Sequence, residues 1–166
     1  PWLTAYVLLG LAKAEEAGYA VDKAVLAEAA DYLNFQRKDP IRLNNTAEVN
    51  AQAFYLYVLA DNGANVRGEV VNLAAEHRGL LDPYAKSLLI MAEGGRNSAT
   101  QRTLISDLGA DVVLSATGAH WEDESRDFRN LSSNVRGTAM AINALAVAEP
   151  DNLLGPQAVR WLMSAR

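Results

Sequence analysis

Apolar residues recur at the three- and four-residue spacing of α-helices along nearly the whole chain. Residues 3–17 form the first such stretch, with Thr4 as its expected cap and Gly18 as its stop. Residues 22–36 form a second, capped by Asp22, with Val25, Leu26, Ala29, Tyr32 and Leu33 on one face. "RKDPIRLNNT" then breaks the pattern, because Pro40 cannot continue a helix. The pattern resumes over 47–61, closes at Gly63, and returns more briefly over 66–77. Asp82 and Pro83 open a helix that Gly94-Gly95 ends, and 97–108 reads as another. Residues 136–148 and 156–165 complete the set, the last with Pro156 at its start. One segment differs. "DVVLSATGAHWEDE", residues 111–124, places β-branched residues on one side and breaks at Thr117-Gly118, which predicts a short β-hairpin. The polar stretch after it, 125–135, reads as a loop.

Four of these helices repeat one phrase. "TAYVLLGLA" ends at Ala12, "QAFYLYVLA" at Ala60, "YAKSLLIMA" at Ala92 and "TAMAINALA" at Ala146. Each carries Ala in its second position, at 5, 53, 85 and 139, and each is followed by a turn and a second helix. Small residues at a fixed helical position let neighbouring helices approach closely. A single helical hairpin cannot bury its apolar face, so such units stack on one another. The expectation is an all-α fold: a toroid-like α/α stack of helix hairpins forming an incomplete ring, with one β-hairpin near 111–124. The helices at 4–17, 47–61, 83–93 and 136–148 should share one layer. Ala is common in helices, and accidental matches are the competing account of the repeat.

Composition narrows the function classes. A chain of 166 residues fits one domain with a real core. Half of it is hydrophobic, yet no run approaches the roughly 20 residues that span a bilayer. The net charge is −5 and the 15 basic residues are scattered, which argues against a nucleic-acid surface. The absence of Cys excludes disulfides, thiolate metal sites and a Cys nucleophile within these residues. No basic segment precedes an apolar one at the start, so no signal peptide is visible. The chain opens at "PWLTAY" without Met and ends in "WLMSAR", and both ends read as cuts through a longer protein.

The candidate chemistry is sparse. His77 stands at a helix end, where a cation suits the dipole. His120 adjoins Trp121 and precedes Glu122, Asp123 and Glu124, a conceivable acid–base or metal group, but two His residues give no ligand spacing. Ser115, Ser132 and Ser133 lack the strained-elbow context of a nucleophile. "EGGRN" lacks the Lys and preceding strand of a phosphate loop. A toroidal glycosidase or terpene cyclase is the enzyme alternative and needs placed carboxylates. The apolar helices carry few acids, Glu48 and Asp61 flanking one and Glu93 ending another, and no Asp-rich cluster appears. Phe54, Tyr55 and Tyr57 would serve equally as a protein-binding strip or as core. No catalytic, cofactor-binding or metal residue is assigned.

"PWLTAYVLLGLAKAEEAGYAVDKAVLAEAADYL", together with "NVRGTAMAINALA" and "AVRWLMSAR", resembles the thioester domain of α2-macroglobulin-like proteins. The likeness covers most of the chain and points to a bacterial member. It implies an α/α toroid within a broad-spectrum endopeptidase inhibitor that traps proteases, in an extracellular or periplasmic, cell-envelope setting. It also implies an internal thioester between the Cys and Gln of a Cys-x-Glu-Gln motif, shielded until a conformational change exposes it. That motif would precede Pro1. The His that assists acyl transfer in some relatives has no counterpart in "DPIRLNNTAEVN". The resemblance therefore implies no enzymatic activity and no cofactor for this chain, with proteases met through the full-length parent and with the parent's other domains as partners. It also leaves apolar surface at the two ends of an open arc, near Trp2, Leu3 and Val7 and near Leu154, Trp161 and Leu162, through which self-association is expected.

Overall fold

A computed structural model describes residues 1–39, 42–123 and 133–165. Among them are eight α-helices: α1 Trp2–Glu16, α2 Lys23–Gln36, α3 Thr46–Asp61, α4 Arg67–Glu76, α5 Pro83–Glu93, α6 Ala99–Ala110, α7 Asn134–Ala148 and α8 Leu154–Ser164. A 3₁₀ turn, Arg78–Leu80, follows α4. Strands β1 Val113–Ser115 and β2 Gly118–His120 pair antiparallel, with Val113 opposite His120. Pro40 and most of the predicted 125–135 loop lie outside the described residues. Residues 134 and 135 are helical instead, because Ser133 accepts the Arg136 N–H and starts α7 there.

The helices alternate between two layers. α1 packs on α3, α3 on α5 and α5 on α7, in order. α2 covers α1 and α3, α4 covers α3 and α5, α6 lies on α5 and α7, and α8 lies on α7. The four phrase-bearing helices thus form one layer, as their shared register predicts. Leu8, Phe54, Leu56, Leu59, Leu88, Leu89 and Ile90 are fully buried between the layers.

Local chemistry sets the ends. Gly18 and Gly63, at φ +88° and +83°, close α1 and α3 with the same pair of bonds. Gly18 N–H donates to Glu15 and Tyr19 N–H to Ala14; Gly63 N–H donates to Ala60 and Ala64 N–H to Leu59. Asp22, Asn45, Asp82 and Ser98 cap α2, α3, α5 and α6 through their side chains. Thr4 is not a cap: α1 already begins at Trp2, with Ala5 N–H donating to Pro1 C=O, and Thr4 lies within it. Pro156 occupies the third position of α8 rather than the first, since Asn152 Oδ1 accepts the Leu154 N–H and sets the start two residues earlier.

The register of α7 differs from its sequence alignment by one residue. Ala5 and Leu8 are buried in α1, Ala53 and Leu56 in α3, and Ala85 and Leu88 in α5. The corresponding buried pair in α7 is Thr138 and Ala141, while Ala139 is only partly covered. The cause is the hairpin: Trp121 N–H, fully buried, donates to Thr138 Oγ1 at 3.1 Å. A hydroxyl turned inward satisfies that buried donor, which an Ala cannot do.

The hairpin is built into the stack. Trp121 is completely buried and its Nε1–H donates to Leu108 C=O on α6 at 2.7 Å. Gly118, at φ +135°, lies so close to α8 that a Cβ there would stand 2.2 Å from Gln157 C=O. This packing corrects the predicted exposed ends. Leu3 and Val7 are 75% and 49% exposed, but Trp2 packs on Tyr6 and Phe54. At the other end Leu154 packs on the core and Trp161 stacks on His120, while Leu153, Val159 and Met163, with Val135 and Val147 of α7, are exposed.

Candidate functional site

The polar residues that the fold gathers lie at the N-terminal ends of α3, α5 and α7. Asp82 caps α5 with Oδ1, accepting from Ala85 N–H at 2.7 Å. Its Oδ2 accepts from Asn50 Nδ2 at 2.6 Å, and its own N–H donates to Asn50 Oδ1 at 3.2 Å. One carboxylate therefore starts α5 and clasps it to the second turn of α3. Burial pushes the Asp82 carboxyl up to about 6, and the negative Asp123 adds to this. The Ala85 N–H bond and the positive Arg136 and Lys86 offset only part of the rise.

Three further groups surround that clasp. Lys86, one turn along α5, is buried and pairs through Nζ with Asp111 Oδ2. Arg136, from α7, lies over the Tyr84 ring with its guanidinium carbon 3.6 Å from the centroid. Burial raises the Tyr84 phenol well above its usual range, against the opposing effect of Arg136. Asn45, Asp82, Lys86, Asp111 and Glu122 contribute to the wall of a cavity of about 800 Å³ at this rim. Chemically the rim is a joint. Asp82 is already bonded to the N-terminus of α5 and to the Asn50 amide, and Asp111 to Lys86, so these carboxylates serve packing between neighbouring elements.

The residues singled out in the sequence do not converge. His77 ends α4, its N–H bonded to Leu73 C=O. His120 is stacked on Trp161 at 4.5 Å, with Nε2 3.5 Å from the exposed Glu122. Asp123 N–H donates to Asn134 Oδ1. Glu124 and Ser132 lie outside the described residues. Ser115 bonds within the hairpin turn, to Thr117 and to Gly118 C=O, and Ser133 caps α7. Gly94 and Gly95 end α5, and Ser98 starts the next helix. Glu48 accepts from Lys38 Nζ and Asn44 N–H, which hold its carboxyl below the ordinary range. Asp61 receives Lys13 Nζ at 2.8 Å. Glu93 is buried at the end of α5 with neither carboxylate oxygen hydrogen-bonded. Phe54 and Tyr57 are core, and Tyr55 is half-covered beside Trp2. Among the described residues no group of three His, Asp or Glu stands together as a metal site, and no helix is long and apolar enough to cross a membrane.

Sequence reasoning found Asp82 as a cap but missed its partner Asn50, and it missed Lys86 and Arg136 altogether. Polar residues within otherwise apolar helical phrases were the available signal: "EVNAQAF" brings Asn50 and Gln52 inward, and "YAKSLL" brings Lys86 and Ser87.

No family model matches the sequence, and no curated protein matches it. Solved structures do share its fold. One is the native conformation of E. coli α2-macroglobulin, with a TM-score of 0.71 and 20% identity over 98% of this chain and 10% of that one. Another is Salmonella α2-macroglobulin reacted with methylamine, with a TM-score of 0.71 and 23% identity over the same shares. At these identities the likeness is one of fold, and the chain spans about a tenth of each of these proteins.

Proposed function

We propose that this chain is a thioester-type helical domain of an α2-macroglobulin-like, broad-spectrum endopeptidase inhibitor and serves as a non-catalytic part of a protease trap. The observation that carries the reading is the overlay of nearly the entire chain on one segment of two bacterial α2-macroglobulins. The Trp-Leu-Thr-Ala run at 2–5 supports it independently. With no Cys among the 166 residues, any thioester would use a Cys outside them. On this reading proteases are met by the full-length parent outside the cytoplasm, in an extracellular or periplasmic, cell-envelope setting, and the domain's immediate partners are other domains of that parent.

The enzyme alternatives fit the site less well. Glu48 and Asp61 lie 13 positions apart on one helix, about 20 Å along its axis. Glycosidase carboxylates stand roughly 5–10 Å apart. A terpene cyclase needs an aromatic-lined apolar cavity, whereas Trp2, Tyr6 and Phe54 pack on one another here.

The test uses the full-length parent. Incubated with an endopeptidase, it should protect a large protein substrate while cleavage of a small peptide substrate continues. Equal inhibition of both, or protection of neither, would count against trapping. The isolated chain treated with methylamine should show no mass gain. A gain on any Gln or Glu would place acyl chemistry within these residues.

A further inference from the structure

We infer that Asn62 is the modification site at which the folded chain deamidates, and that the closing turn of α3 sets the rate. This chemistry needs only the chain and water, and it is independent of the protease-trap reading.

Asn62 is the one Asn of the chain that Gly follows. Gly63 has no side chain to shield its backbone nitrogen, so the Asn62 amide is the one most open to attack from the main chain. In that attack the Gly63 nitrogen bonds to Asn62 Cγ, the Cγ–Nδ2 bond breaks, and ammonia leaves with the Gly63 proton. Water then opens the cyclic imide at either carbonyl, giving aspartate or its β-linked isomer.

The fold keeps both reacting groups in other bonds. Asn62 Nδ2 donates to Val58 C=O at 2.9 Å, and Gly63 N–H donates to Ala60 C=O at 2.9 Å. Asn62 N–H and Ala64 N–H close the same turn on Val58 C=O and Leu59 C=O. Attack therefore waits for the last turn of α3 to open, and helix ends open at far lower free energy than the whole fold. Lys13 of α1 restrains that opening from a neighbouring helix, through its 2.8 Å bond to Asp61, the residue before Asn62.

The product acts back on this fastening. Asn62 lines a crevice with Glu15, Glu16, Lys23 and Asp61. Lys13 is paired with Asp61 and Glu16, and Lys23 with Glu15. A further carboxylate there meets three acids and two lysines that are already paired. It also stands at the negative end of the α3 dipole. The β-linked isomer lengthens the backbone inside the hydrogen-bonded turn as well. Deamidation thus loosens α1 from the end of α3.

Peptide mapping by mass spectrometry tests this, on the chain held at pH 8 folded and in denaturant. Asn62 should be the first Asn to gain the mass of deamidation in both states, more than about tenfold more slowly when folded. Lys13→Met should raise the folded rate severalfold and leave the denatured rate unchanged. Arg78→Met, which breaks a distant pair with Asp107, should alter neither. Asn62→Asp, which supplies the charge of the product, should lower the midpoint of denaturant unfolding. An unmodified Asn62 in the folded chain, or another Asn modified first, overturns the proposal. Equal rates in the two states, or a folded rate indifferent to Lys13→Met, overturn the gate at the end of α3. An unchanged midpoint in Asn62→Asp overturns the loosening of α1.

Discussion

α3 and α1 carry phrases of one pattern, identical at four of nine positions, and live in different environments. In "QAFYLYVLA" of α3, Gln52, Ala53, Phe54, Leu56, Tyr57, Val58 and Leu59 are buried, seven of nine. In "TAYVLLGLA" of α1, only Ala5, Leu8 and Ala12 are. α5 behaves like α3, and α7 like α1. A helix's own sequence decides which residues turn inward; how many are covered depends on whether it has one neighbour in the layer or two. α3 and α5 have two, and they are apolar around most of their circumference, as a helix enclosed on every side must be. The centre of the layer should therefore hold the molecule's stability, with the flanks contributing little per residue.

The largest effects should follow that division. Leu56→Ala and Leu88→Ala, at fully buried sites, should each cost about 2–5 kcal/mol in denaturant unfolding. Leu3→Ala and Met163→Ala, at sites 75% and 66% exposed, should stay within about 0.5 kcal/mol at concentrations where the chain is monomeric. Equal costs at the two kinds of site would remove the distinction. The C-terminal flank has one exception, because Gly118 has no room for a side chain. A Cβ would meet the Gln157 carbonyl and, at 3.0 Å, the Trp161 backbone nitrogen, and neither is a flexible side-chain end. Gly118→Ala should cost about 3 kcal/mol and loosen α8 from the hairpin, visible as a change in Trp161 fluorescence.

Asp82 sharpens the comparison from inside the centre. Its carboxyl is raised in the folded state to about 6, mainly by burial, from an ordinary value near 4. The fold thus favours the protonated form. This group stabilises most below about pH 4; that advantage falls as pH rises to 6, and above 6 the charged carboxylate imposes its full cost, about 3 kcal/mol. Asp82→Asn keeps an oxygen for the Ala85 N–H and removes the titration. Relative to the unaltered chain, the variant should gain about 2 kcal/mol between pH 4 and pH 7. A flat difference across that range would mean that Asn50, Lys86 and Arg136 compensate the charge fully.

The eight helices were legible to within about two residues because helical periodicity, caps and Gly stops are local, and the hairpin occupies 113–120 of the expected 111–124. The layer was legible from a repeated Ala, and there the reading fails in an instructive way. Ala139 matches Ala5, Ala53 and Ala85 in the phrase, yet Thr138 takes the equivalent inward place. Trp121, 17 residues away, supplies the N–H that selects it, and no periodicity within α7 records that bond. The polar rim was hidden for the same reason. Asn50 and Asp82 are 32 positions apart, and only the stacking of α3 on α5 brings them together. The covering of Trp161 by His120 is likewise non-local, because it depends on the docking of β2 on α8.

The smallest expected effect concerns how a flank is fastened to the centre. Lys13, near the end of α1, bonds Asp61 at 2.8 Å at the end of α3, and Glu16 at 3.0 Å within its own helix. Burial works against the Lys13 charge, but the bonds from Asp61 and Glu16 outweigh it and hold the ammonium up at about 12. The Lys13 side chain is 47% exposed, so solvent screens most of this attraction. If packing of Ala5, Leu8 and Ala12 fastens α1, a double-mutant cycle of Lys13→Met and Asp61→Asn should give a coupling of about 0.5–1 kcal/mol, weaker in high salt. Asp61 is only 17% exposed at its side chain and its Oδ2 has no hydrogen bond, so Lys13→Met alone should cost more than the double variant. A coupling above about 2 kcal/mol, insensitive to salt, would mean that charge rather than apolar packing holds the flank, and that α1 is more closely bound into the centre than its exposed face suggests.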